Sequence, residues 1–204
     1  MKKVTIIATI YNSYPQIISS LICQTHTNWN LLLIHDGPNN TGLKKIVEDT
    51  GDPRVIYIET EERKNLWGHN LRSWILGEIK QGKLQQDSEY IVITNGDNWY
   101  TPLFLSKMLS GFITPRIKAT YCSSFLTNYL SPQPEGPYEF GIIQSKIELG
   151  YVDCGSVMVK KEIACDVGWR SMDIYSDWEY IDDIRFKYGI RSFNRVLGTL
   201  FVHC

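Results

Sequence analysis

Apolar and polar positions alternate along this chain in blocks that predict a strand, then a helix, then a strand, several times over. Val4-Thr5-Ile6-Ile7-Ala8-Thr9-Ile10 is a nearly continuous apolar run, as expected of a strand covered on both faces. It breaks at Tyr11-Asn12-Ser13-Tyr14-Pro15, where Ser13 is placed to cap a helix and Pro15 to sit in its first turn. Ile17, Ile18, Leu21 and Ile22 then recur at helical spacing. A second strand, Leu31 to Ile34, ends in His35-Asp36-Gly37-Pro38-Asn39-Asn40. A short helix over Leu43 to Glu48 and a third strand, Val55 to Ile58, follow.

From Asn65 a longer helix is expected, with Leu71, Trp74, Ile75 and Ile79 on one apolar face. Tyr90-Ile91-Val92-Ile93-Thr94 reads as a buried strand running into Asn95-Gly96-Asp97-Asn98-Trp99-Tyr100. A Pro102-led helix through Leu105, Met108 and Leu109 and a strand over Ala119 to Phe125 come next. Residues 128 to 138 are rich in Pro and turn formers and read as loop. Val152 to Val159 reads as a strand interrupted by Gly155, where another group is expected to approach the backbone closely. A helix over Lys160 to Val167 precedes one that Ser176 or Asp173 would cap, with Trp178, Ile181 and Ile184 on its apolar face. The last strand, Val196 to Val202, runs into His203.

This alternation predicts an α/β fold with a mainly parallel sheet, and in such sheets ligands bind at the carboxyl ends of the strands. The turn at that rim holds Asp97 between the carboxamides of Asn95 and Asn98, which suits oxygen ligation, although the same residues also make an ordinary surface turn. His35-Asp36-Gly37-Pro38 has the same two readings. Arg63 to Asn70 gathers cations and amides ahead of an apolar stripe and is equally a solvated face. A dehydrogenase-type dinucleotide site is set aside, because the turn after the first strand has no glycine.

Composition narrows the choice further. The 204 residues carry 21 basic and 22 acidic side chains, so no broad basic face for nucleic acid is implied. With 6 Trp and 12 Tyr the chain has material for a sugar- or base-binding cleft, though aromatics serve cores as well. The 5 cysteines are odd in number, form no Cys-x-x-Cys and follow no leader, and no Cys/His pair has zinc-ligand spacing. No apolar run is long enough for a membrane span, so a reducing, cytoplasmic setting is expected.

Several of these stretches together resemble the family 2 glycosyltransferases of GT-A fold. Thr5 to Asn12 is similar to the family's opening strand, and His35-Asp36-Gly37 stands where Asp-Asp-Gly is usual. Asn95-Gly96-Asp97-Asn98 lies at the Asp-x-Asp motif. Gly155-Ser156, Gly168-Trp169, Ser176-Asp177-Trp178-Glu179 and Val202-His203 follow in order. The chain also resembles the N-terminal glycosyltransferase domain of a multidomain protein of a large DNA virus of algae.

The resemblance implies one domain over residues 1–204, with a nucleotide-binding part to about residue 100, an acceptor and catalytic part beyond it, and further domains in a longer chain. It implies a non-processive, metal-dependent, inverting hexosyltransferase moving one sugar from a nucleotide-sugar, UDP-linked by preference, to a glycan or glycoprotein acceptor. Thr9, Tyr11 and Asp36 would surround the uracil, Arg63 or Lys64 would meet the diphosphate, and Asn70 would help hold the cleft. Asn12, Asn95 and Gly96 complete the donor-binding set.

Asp97 and His203 would hold Mn2+ or Mg2+, hard cations suited to oxygen with one imidazole. Asn95 departs from the motif, since an amide oxygen brings no charge, which would lower metal affinity. Asp177 would be the general base, kept ionised by the first turn of its helix, with Asp173, Glu179 and Asp153 in reserve. Trp99, Tyr100, Trp169 and Trp178 would offer a floor for a sugar ring. After the proposed base the helix reads Ile181-Asp182-Asp183-Ile184-Arg185 and lacks the Gln-x-x-Arg-Trp of processive synthases. Two rivals remain: a non-catalytic sugar-nucleotide or glycan binding module, and a nucleotidyltransferase, which would need a Gly- and Arg-rich site after the first strand.

Overall fold

The computed structural model describes residues 1–38, 42–127 and 141–203; the Pro-rich stretch expected as loop lies outside the described residues. The strands are β1 (Val4–Ile10), β2 (Trp29–His35), β3 (Val55–Glu59), β4 (Tyr90–Asn95), β5 (Trp99–Tyr100), β6 (Ala119–Leu126), β7 (Gly141–Ile143), β8 (Val157–Lys160) and β9 (Phe193–His203). The helices are α1 (Gln16–Ile22), α2 (Leu43–Thr50), α3 (His69–Lys80), α4 (Phe104–Ser110), α5 (Lys161–Val167) and α6 (Ser176–Tyr188). One sheet runs in the order β3-β2-β1-β4-β8-β6-β9-β5, with β7 paired to β6.

The parallel arrangement expected from the N-terminal alternation holds from β3 to β4. Beyond β4 the sheet is mixed: β8 is antiparallel to both β4 and β6, β9 is parallel to β6, and β5 is antiparallel to β9. Every residue of β1 is buried, because alternate side chains enter two cores. Ile6, Ala8, Leu31, Leu33 and Val92 pack against Ile17, Leu21, Phe104 and Met108 on the α1–α4 face. Ile7, Leu32, Ile34, Ile91 and Ile93 pack against Leu71, Ile75, Ile163 and Ile181 on the α3–α5–α6 face.

Five expectations change. Pro15, not Ser13, precedes α1, and no side chain caps it. The expected helix from Asn65 begins only at His69, since Asn65 and Trp67 have φ of 54° and 48°, outside the helical region. On that helix Trp74 faces out at 45% exposure while Arg72, at 1%, takes the buried side. The strand expected from Val152 starts at Val157, because Cys154–Ser156 form a 3-10 turn in which the Asp153 carboxylate accepts the Gly155 N–H at 2.6 Å. No side chain caps α6 itself. Asp173 instead accepts the Tyr175 N–H at 2.8 Å, and its carbonyl accepts the Ser176 hydroxyl at 2.6 Å, both just ahead of the helix.

Gly155 is where the expected close approach occurs. A Cβ there would lie 2.4 Å from the Phe201 ring and 2.8 Å from Thr94 Oγ1. Gly155→Ala is therefore expected to lower unfolding free energy by about 1–3 kcal/mol through overpacking. Gly77→Ala, in open space within α3, should raise it by roughly 0.5–1 kcal/mol. Urea denaturation of the two variants checks the pair.

Candidate active site

Parallel pairing aligns the carboxyl ends of β2, β1 and β4, with Ile10 opposite His35 and Thr9 opposite Asn95. The turn leaving β4 carries Asp97, and β5, two residues later, pairs Trp99 with Val202 of β9. That pairing draws the end of β9 to the turn, which is why residues over a hundred positions apart meet. The result is a cavity of about 430 Å³ lined by Thr9, Tyr11, Asp36, Arg63, Asn95, Gly96, Asp97 and His203, together with Ile10, Tyr14, Asn65, Trp67 and Gly68. A wider cavity of about 590 Å³ lies against Leu103, Val196, Leu197 and Leu200 and has no ionisable side chain among the described residues that line it.

One wall is the segment entering α3, and Asp36 holds it there. Its carboxylate oxygens accept the backbone N–H groups of Lys64 and Asn65 at 2.9 and 3.0 Å. Gly68, with φ of 77°, lets the segment press onto Thr9, whose Oγ1 lies 2.2 Å from where a Cβ would be. Gly96 does the same against Ile10 at 2.6 Å. The Arg63 guanidinium sits 4.5 Å over the Tyr11 ring, and Trp67, 67% exposed, stands at the rim.

The cavity thus gathers eight of the residues singled out in the sequence and leaves four elsewhere. The Lys64 ammonium pairs with Glu62. The Asn12 amide donates to the Tyr14 hydroxyl at 3.2 Å. Asn70 lies in the first turn of α3 with its Oδ1 buried and without a partner, and Asp177 sits behind the Asn95 wall.

Asp97 carries the chemistry expected of a cation site. Burial pushes its carboxyl up, against the pull of its own backbone N–H, His203 and Arg72 and with the push of Asp153. Its Oδ1 is buried and has no hydrogen-bond partner. An orphaned carboxylate oxygen beside an imidazole in one cleft fits a hard divalent cation. His203 Nδ1 lies 3.3 Å from Asp153 Oδ2. Burial opposes ionisation of Asp153, but His203, the Gly155 N–H and Arg72 together hold its carboxyl below the usual range.

Behind Asn95 lies a residue to which the sequence reading assigned no role. Arg72 donates to Asn95 Oδ1, to His69 Nδ1 at 3.0 Å and to Asp177 Oδ1 at 3.4 Å, and its guanidinium lies 4.8 Å over the Trp169 ring. The available signal was its place at i−3, i−4 and i−7 from Ile75, Leu76 and Ile79, which puts a cation on the apolar face. His69 is stacked on Trp169 at 5.7 Å. Burial first, then Arg72, lower it from 6.5 to about 4, so it stays neutral and accepts from Arg72.

Asp177 lies in the first turn of α6, as expected. Its carboxyl is nevertheless raised: burial and the nearby Asp153 outweigh Arg72 and the Cys154 thiol, which donates to its Oδ2 at 3.0 Å. Asp153, Cys154 and Asp177 bring ligand atoms within 4.8 Å of one another, but the guanidinium already supplies the cation there. The expected sugar floor is not assembled. Trp169 and Tyr100 are each 2% exposed and belong to the cores, Trp178 packs against the second core beneath Arg185, and Trp99 alone of the four is open to solvent. Asp173 and Glu179 are exposed.

The family model described as Glycosyl transferase family 2 matches residues 5–164. Among solved structures, S. aureus TarS 1–349 in complex with UDP superposes with a TM-score of 0.73 at 13% identity, covering 100% of this chain and 60% of that one. The same protein in complex with UDP-GlcNAc gives 0.70 at 11%, covering 100% and 59%. GalNAc-T7 with UDP, GalNAc and Mn2+ gives 0.67 at 13%, covering 100% and 44%. The chain thus spans at most three fifths of these relatives' lengths, and the likeness establishes the GT-A fold. No helix among the described residues is long and apolar enough to cross a membrane.

The depressed His69 makes a pH test. Between about 6.5 and about 4 the unfolded chain holds a proton that the folded chain does not, so this contribution to stability is lost as pH falls through that window. The Tm advantage of the unaltered protein over His69→Gln is expected to shrink from pH 7 to pH 4; a constant difference would contradict the neutral, buried imidazole.

Proposed function

Because the chain belongs to glycosyl transferase family 2, we propose that it transfers one sugar from a UDP-linked donor to a hydroxyl of a glycan or glycoprotein acceptor, with inversion and with Mn2+ or Mg2+. The observation that carries this reading is the unpartnered Asp97 oxygen in a cleft shared with His203, Asp36, Tyr11 and Arg63. Binding of UDP and UDP-GlcNAc by one structural relative, and of UDP with Mn2+ by another, supports it.

In this reading residues 1–100 hold the donor and the remainder the acceptor. Tyr11 offers a ring face to the uracil. Each Asp36 oxygen has a lone pair beyond the one given to the backbone, and can accept the N3 proton. Arg63, which lines the same cleft, would meet the diphosphate. Asp97 and His203 would hold the cation, which supplies positive charge to a leaving diphosphate. The acceptor oxygen bonds to the anomeric carbon as the bond to UDP breaks, and Asp177 takes the hydroxyl proton. The raised carboxyl of Asp177 makes it a stronger base than an exposed aspartate, burial pushing it up and Arg72 pulling the other way. The sequence after Asp177 supports single addition over processive synthesis.

A second reading, a sugar-nucleotide binding module without turnover, is favoured by one fact: Asn95 brings no charge and its oxygen is taken by Arg72. UDP release separates the two. A panel of nucleotide-sugars is expected to yield UDP from one donor, only with Mn2+ or Mg2+ present. Asp97→Ala should abolish that release. Asp177→Asn should keep UDP binding and lower transfer by about 10²–10⁴-fold; transfer undiminished in Asp177→Asn would remove Asp177 as base.

A further inference from the structure

His203 lies between two cavities. It lines the cleft of Asp97 and also a second pocket of about 190 Å³ formed by Ser124, Leu126, Tyr151, Val152 and Asp153 with neighbouring backbone. Asp153 lines only the second pocket, and its Oδ2 is 3.3 Å from His203 Nδ1. The Nδ1 edge of the ring thus meets the carboxylate of the second pocket, while the same side chain also lines the cleft of Asp97.

The Asp153 carboxylate is itself held. Its Oδ1 accepts the Gly155 N–H at 2.6 Å, and Gly155 is locked by the Phe201 ring, which would lie 2.4 Å from any added Cβ. Phe201, two residues before His203 on β9, also meets the imidazole edge-on at 6.1 Å. Carboxylate and ring are thus fixed to one another by a chain of contacts that starts in the 3-10 turn and ends on β9.

An ionised carboxylate only accepts hydrogen bonds, and a neutral imidazole has one donor nitrogen and one acceptor nitrogen. A carboxylate oxygen 3.3 Å from Nδ1 favours the proton there and leaves the ring's lone pair on Nε2. We infer that Asp153 is a positioning residue: it selects the His203 tautomer and orientation in which Nε2 can ligate a divalent cation shared with Asp97. This rests on the cation site of the proposed function. Carboxylates that hold a ligating histidine in this way raise its basicity, and their loss weakens metal binding by about 10–100-fold.

Two measurements test it. On the unaltered protein without metal, long-range 1H–15N correlation at about pH 8 should show His203 protonated at Nδ1; protonation at Nε2 overturns the inference, and this arm needs no variant. With UDP present, Mn2+ titration followed by the electron paramagnetic resonance of the free ion should show Asp153→Ala binding about 10–100-fold more weakly than the unaltered chain. Asp153→Asn, which keeps a carbonyl acceptor for Nδ1–H, should recover part of that loss. Equal Mn2+ affinity in Asp153→Ala and the unaltered protein overturns the inference and leaves the proposed function standing. Failure of the unaltered protein to bind Mn2+ at all overturns both.

Discussion

A guanidinium sealed from water governs this molecule. Arg72 is 1% exposed, and withdrawing such a charge from solvent costs several kcal/mol unless partners surround it. Its partners come from four places in the chain: the Asn95 amide, the Asp177 carboxylate, the His69 ring and the face of Trp169. Helix α3, strand β4, the segment before α6 and α6 itself must therefore arrive together. His69 has to be neutral to accept from Arg72, and its burial makes it so. The uncharged Asn95 belongs to the same arrangement: it gives Arg72 an acceptor and leaves Asp97 as the carboxylate of that turn facing the cleft.

Around that centre three carboxyls are held differently by their surroundings. Asp153, between His203 and a backbone N–H, is held ionised. Asp97 and Asp177 are pushed up by burial, one with an oxygen left open toward the cleft and the other between a guanidinium and a thiol. Aspartates that look alike in sequence thus differ, through desolvation and neighbours, in how readily each ionises.

The site is held at the strand ends by close backbone contact. Gly68 against Thr9 and Gly96 against Ile10 leave no room for a side chain, so the walls of the cleft are set by packing of backbone on strand. The short strand β5 closes the assembly by pairing with β9 just ahead of His203. That pairing and the β6 ladder, which sets His203 opposite Leu126, together decide where an imidazole from the far end of the sequence stands.

Periodicity and turn chemistry determined much by themselves. Short, nearly continuous apolar runs bounded by turn formers read as strands buried on both faces, so β1, β2 and β4 were legible, as was the placing of Asp36, Asn95 and Asp97 at their carboxyl ends. The interrupted stretch around Gly155 signalled a close approach without naming the ring that makes it. Arg72 went unassigned and Trp74 was set on the wrong face because helical spacing gives a face, not its neighbours, and the partners that admit Arg72 to the core include Asn95 and Asp177, 23 and 105 residues away. Proximity to a helix N-terminus argued for an easily ionised Asp177, whereas burial beside Asp153 decided otherwise. Short-range pattern determines which segments are strand or helix, since that depends on local backbone preference and burial of one face. Which charges meet, and which proton stays, is decided only when distant segments share one desolvated space.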